Sequence, residues 1–199
     1  MSHRHSLRLA AIALPVLALV PTAAHAEKVV THDPAGDVVM YAGGPADETV
    51  PAPDHVGTDL VRTSVAHGEK RLRVNLGYQA LERDPFQLTV IGLKTSRGAF
   101  EIVVERLGGS PITSIAGRHD DDLECRGLKS TVNLRTDVVS TSLPTSCLGA
   151  PQWVRVGAGA IEVSGDVDQP ELAAAYADDA HRAGEIRDNL AFGPKVRRG

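Results

Sequence analysis

The sequence predicts an all-β chain, an antiparallel β-sandwich of the jelly-roll or Ig-like kind, closed by one disulfide. Three observations predict it. Apolar and polar residues alternate with period two through much of residues 59–163. Two of those stretches are interrupted by two-residue turn signals, which mark hairpins. The only two cysteines, Cys125 and Cys147, follow an export-type leader, and an oxidising compartment favours pairing them.

The leader is "MSHRHSLRLAAIALPVLALVPTAAHA". Arg4 and Arg8 give it a positive start, Leu9 to Val20 an apolar middle, and Ala24 with Ala26 an A-x-A cleavage signal. The apolar stretch is shorter than the ~20 residues a membrane span needs. The expectation is a Sec signal peptide over 1–26, a single β-sandwich domain over 27–199, no membrane span after cleavage, and a secreted product. Cleavage removes two arginines and no acid, which leaves 19 basic against 25 acidic side chains, a charge of −6 in place of −4.

Along the remaining chain, an early strand is expected near Val38–Tyr41, and the Pro-, Gly- and acid-rich residues 42–58 read as a surface loop. Residues 59–78, "DLVRTSVAHGEKRLRVNLGY", suit a hairpin turning at Gly68-Glu69, with Val65 opposite Leu72 and Ser64 opposite Arg73. Residues 86–106 suit a second, turning at Arg97-Gly98, with Leu93 opposite Ile102 and Lys94 opposite Glu101. Shorter strands follow at Thr131–Arg135, Val138–Leu143 and Trp153–Val163. "GAGAIEVSG" at 157–165 has Glu162 where a dinucleotide fingerprint needs glycine, and reads as plain strand. The tail allows two readings: a short C-terminal helix with Pro170 at its first position, or a last strand over Ala173–Ala177. "NLAFGPKV" reads as a closing edge segment.

Composition excludes several function classes. A charge of −4 is unlike the basic face of a nucleic-acid binder. One Trp and three Tyr leave little for the aromatic platforms on which sugars stack. G-x-S-x-G, H-E-x-x-H, P-loop and EF-hand patterns are all missing, so no catalytic residue is assigned. His119 with Cys125 matches no zinc spacing, and the acidic run Asp120–Asp122 reads as a hydrated loop. No cofactor is expected: Asp33 reads first as an Asx-type turn and Asp178 as part of an exposed loop, with a structural calcium ion as the alternative. Asp33 and Asp37 flank a Pro-Ala-Gly turn before the first strand, and Asp178 and Asp179 follow the last one. In a sandwich these ends come close, and four carboxylates would repel one another without a cation.

"DPAGDV", "DLVRTSVAHGEKRLRVNLGY", "SLPTSCLGAPQWVRVG", "YADDA" and "FGPKV" together resemble secreted β-sandwich proteins of high-GC Gram-positive bacteria. The opening D-x-x-G-D and the following strand are also loosely similar to carbohydrate-binding and DOMON-type sandwiches. The 16 Arg against 5 Lys agree with GC-rich codons. The resemblance implies a fold and an extracellular address, and it transfers no catalytic residue.

The function expected is a non-catalytic binding or accessory module of the cell envelope. Its partner would be an anionic cell-wall polymer or an extracellular protein. The contact residues would be Arg62, Arg71 and Arg73 on the wet face of the first hairpin, with Trp153 and Arg155 on a later strand, because guanidinium forks suit phosphate and carboxylate. Two alternatives stand beside it. One is a secreted hydrolase, which would show a pocket joining Ser or Asp to His. The other is an inhibitor or structural protein presenting the disulfide-bounded residues 126–146 as a protruding loop.

Overall fold

The computed structural model describes residues 26–41, 49–83, 86–117, 122–165 and 174–199. The expected signal peptide (save Ala26), His119, Asp120, Asp121 and Pro170 lie outside the described residues. The strands, in chain order, are β1 Glu27–His32, β2 Val39–Tyr41, β3 Thr49–Pro51, β4 Leu60–His67, β5 Arg71–Tyr78, β6 Phe86–Thr95 and β7 Gly98–Arg106. They continue as β8 Ile112–Gly117, β9 Lys129–Asn133, β10 Val138–Pro144, β11 Trp153–Ser164, β12 Ala174–Asp179 and β13 Val196–Arg197. Two antiparallel sheets result. The smaller runs β1-β4-β5-β10-β9; the larger runs β3-β2-β12-β11-β6-β7-β8, with β13 added beside β11. They face one another as a β-sandwich.

Alternation explains the core. Leu72, Val74 and Leu76 of β5, with Val139 and Leu143 of β10, point inward from the small sheet. Ile91, Leu93, Ile102, Val104, Val154 and Val156 meet them from the large sheet, all fully or nearly fully buried. Cys125 and Cys147 are bonded, their Cα atoms 5.5 Å apart. The bond fastens the start of the β9 arm to the short 3₁₀ turn Thr145–Leu148 behind β10. Residues 126–146 are therefore not a protruding loop; most of them form the β9–β10 hairpin of the small sheet. Among the described residues no helix is long and apolar enough to cross a membrane.

Both hairpins form, each with its register two residues away from expectation. Val65 faces Val74 rather than Leu72, and Leu93 faces Phe100 rather than Ile102. In the first, Gly68 N–H donates to the Arg71 carbonyl, so the turn is Glu69-Lys70; Thr145 grips it from outside through both of those residues' carbonyls. In the second, the Thr95 hydroxyl accepts from the N–H groups of Arg97 and Gly98, centring the turn on Ser96-Arg97. A two-residue shift keeps every side chain on its face, so the core pattern survives the error.

At the tail the strand reading holds as β12, paired with β11 from Gly159 to Ser164. Residues 189–195 then form a strap across the outer face of the large sheet before β13 closes beside Trp153. The strap explains the glycines of "GAGAIEVSG". A Cβ on Gly157 would collide with the Ala191 carbonyl oxygen, and one on Gly159 would stand 2.9 Å from Leu190.

Candidate functional site

Two places on this frame bring chemistry together, an acidic centre inside one end of the sandwich and a basic outer face on the small sheet.

The acidic centre is assembled from three segments. β1 leads into the turn 33–37, whose Gly36 takes φ +79°, a left-handed conformation that favours glycine. Asp33 and Asp37 flank this turn. Asp59 immediately precedes β4, and Asp178 sits near the end of β12. One carboxylate oxygen from each of Asp33, Asp37 and Asp178 lies within 4.8 Å of the others. Asp59 joins them through the turn itself, its Oδ2 accepting the Gly36 N–H at 2.6 Å. Asp178 Oδ2 accepts from Leu60 N–H at 2.7 Å, and Asp37 Oδ2 from Gly184 N–H at 3.2 Å.

The electrostatics are unfavourable. Burial, reinforced by the neighbouring carboxylates, pushes Asp33 up to about 8 and Asp178 up to about 7. Asp37 and Asp59 are raised as well, again chiefly by burial. At an effective dielectric of about 20, two carboxylates at the outer limit of this spacing repel by roughly 3–4 kcal/mol. Among the described residues no cation is paired with any of the four; the ion pairs are His55–Glu162, Arg182–Asp179 and Arg187–Glu185.

Of the expected ligand set, Asp33, Asp37 and Asp178 come together and Asp179 does not. Successive strand residues point to opposite faces, so Asp178 turns inward and Asp179 turns out toward the strap. There Asp179 accepts from the Arg182 guanidinium and from the Ala191 N–H. Asp59 adjoins the cluster through Gly36, outside the group of three whose oxygens lie within 4.8 Å of one another. The sequence signal for Asp59 was an aspartate directly before a strand, on the side where the Asp33 turn had to pass.

The basic face follows from register. Across β1, β4, β5, β10 and β9 the outward positions align as Lys28–Ala66–Arg73–Ser142–Lys129, then Val30–Ser64–Asn75–Ser140–Thr131, then His32–Arg62–Gly77–Val138–Asn133. Arg71 lies beside Pro144, one step beyond the first row. Five cations and one histidine thus share a surface with no aspartate or glutamate at any aligned position, in a chain whose formal charge is −4. Arg71 is held in place: its Nε donates to Ser142 Oγ and a terminal nitrogen donates to the Gly127 carbonyl, both at 2.9 Å. The side chains of Lys28, Arg62, Arg73 and Lys129 make no hydrogen bond or ion pair among the described residues. Arg71, Arg73 and Lys129 border a shallow groove of about 320 Å³, floored by Asn75, Thr131, Ser140 and Ser142.

Trp153 and Arg155 are on the outer face of the other sheet, on the far side of the molecule from the three hairpin arginines. Arg155 is occupied in holding the strap, donating to the carbonyls of Phe192 and Gly193. Trp153 carries the Lys195 ammonium over its ring at 4.5 Å. The five residues do not form one surface.

A polar network also closes one end of the core. His55 stacks on Tyr176 with ring centroids 3.7 Å apart, and its Nε2 lies 3.1 Å from Glu162 Oε1. Gln87 joins the Gly57 carbonyl to Arg106. Among the described residues no serine or threonine hydroxyl hydrogen-bonds a histidine ring, so the network has acid and base but no paired nucleophile. Compared with known proteins, the chain matches no family model, no curated protein and no solved structure.

Proposed function

We propose that the chain is a secreted, non-catalytic binding module of the cell envelope whose small sheet lays its outer face against an anionic polymer. The observation that carries this reading is the acid-free outer face of the five-stranded sheet, on which Lys28, Arg62, Arg71, Arg73 and Lys129 stand on four of the strands. Cations commonly decorate edge strands to block unwanted sheet pairing, and that accounts for Lys28 on β1 and Lys129 on β9. It does not account for Arg71 and Arg73, because β5 is the central strand of its sheet.

A polymer with repeating phosphate or carboxylate groups matches the face in charge, in extension and in its hydroxyl- and amide-lined groove. Guanidinium groups are weakly hydrated and bind such oxygens through two parallel N–H donors. Arg71 is already oriented by Ser142 and Gly127, which lowers the entropic cost of engaging a ligand. The disulfide fits an oxidising, extracellular location.

The test is retention on purified Gram-positive cell walls. The variant carrying Arg71→Ala and Arg73→Ala should lose at least ten-fold in affinity while melting at the wild-type temperature. Unchanged retention would remove the face from the account.

A further inference from the structure

We propose that Asp33, Asp37, Asp59 and Asp178 are the protein ligands of a calcium ion that ties the two sheets together. The inference is independent of the polymer-binding reading and rests on how each carboxylate is used. Asp37, Asp59 and Asp178 each give one oxygen to a backbone N–H, from Gly184, Gly36 and Leu60. The other oxygen of each, and Oδ2 of Asp33, is buried without a hydrogen-bond partner. Asp59 is 0% exposed and Asp178 2%. Buried polar atoms left in this state are rare, and four on neighbouring side chains mark a place shaped for something that accepts oxygen lone pairs.

The pattern is that of a metal site. Backbone donors orient each carboxylate through one oxygen and leave the second for the ion. Calcium–oxygen distances of about 2.3–2.6 Å place ligands on opposite sides of the ion about 4.6–5.2 Å apart. The spacing within 4.8 Å of the Asp33, Asp37 and Asp178 oxygens lets one ion touch all three. An all-oxygen donor set suits hard cations such as calcium and magnesium better than zinc or copper, which favour nitrogen and sulfur ligands. Ligands drawn from a turn, a strand start and a strand end suit the flexible coordination of calcium better than the strict octahedron of magnesium.

The consequence is structural. The ion would join the turn after β1, the start of β4 and the end of β12. Those segments come from different sheets, and 145 positions separate Asp33 from Asp178.

The experiment is calorimetric titration and thermal melting of the purified chain after chelation. Calcium alone should bind once per chain and raise the melting temperature by 5 °C or more. Asp59→Asn, an isosteric change that removes one charge, should fold and lose the calcium response at least ten-fold. Asp179→Asn, outside the cage, should keep it. Identical melting in chelator and in excess calcium, with no heat of binding, would overturn the proposal. So would a response to zinc or magnesium with none to calcium, or a full calcium response in Asp59→Asn.

Discussion

The backbone N–H of Leu60 donates to Oδ2 of Asp178 at 2.7 Å, across 118 positions of sequence. Leu60 opens β4 in the small sheet and is fully buried; Asp178 nearly ends β12 in the large one. One carboxylate therefore satisfies a buried donor of the opposite sheet while its second oxygen is buried without a hydrogen-bond partner.

That double duty separates two substitutions. Asp178→Ala removes the acceptor and strands the Leu60 N–H, at a cost of roughly 1–3 kcal/mol. Asp178→Asn keeps an acceptor oxygen and removes a charge from the cluster. In chelator, denaturant midpoints should order as asparagine variant above wild type above alanine variant. An asparagine variant less stable than wild type in chelator would show that repulsion is not the dominant cost.

The same cluster sets a pH dependence. Folding raises Asp33 to about 8 and Asp178 to about 7 from an ordinary 3.8. The folded state then holds protons that the unfolded chain releases. The stabilisation from those protons is complete below about pH 3.8, declines as pH rises, and is gone above about 8. Buried His67 and His181 act in the opposite sense: burial lowers both, so their contribution is lost as pH falls below the ordinary 6.5. Between pH 7 and 9 only the acidic effect remains. In chelator the melting temperature should fall across that window, and saturating calcium should flatten the slope.

At the strap, Gly157→Ala sets a methyl group against the Ala191 carbonyl. Overpacking of this kind costs typically 1–3 kcal/mol. The strap should lift from the sheet, breaking the Lys94–Phe192 contact at 4.1 Å, and expose residues 185–195 to limited proteolysis. A cleavage pattern identical to wild type would contradict the packing described here.

The disulfide closes a loop of 22 positions, and replacing both cysteines by alanine should lower stability by ~3 kcal/mol. Denaturant unfolding of the double variant measures this directly.

Strand identity was legible because period-two alternation survives small errors; both main hairpins kept their faces although their turns were misplaced by one residue. The turn positions were not legible, because Thr95 and Thr145 fix them through side-chain hydrogen bonds. β1, β3 and β8 escaped notice for a different reason. They are short edge strands: β1 alternates only between intermediate and exposed, β3 is exposed throughout, and β8 buries Ile115 alone. Three of the four clustered aspartates were visible as pairs near the chain's structural ends. Choosing Asp179 over Asp59 ignored that neighbours on a strand cannot face the same way. The glycines at 157 and 159 carried no sequence signal, since only the returning strap gives them a purpose.

The most direct measurement is retention of the wild-type chain on cell walls before and after removal of their anionic polymers, across a salt series. The account predicts retention that weakens steeply with salt and disappears when the polymers are stripped, because exposed ion pairs are screened over about 10 Å at 0.1 M. Equal retention on stripped walls, or retention indifferent to salt, would contradict it.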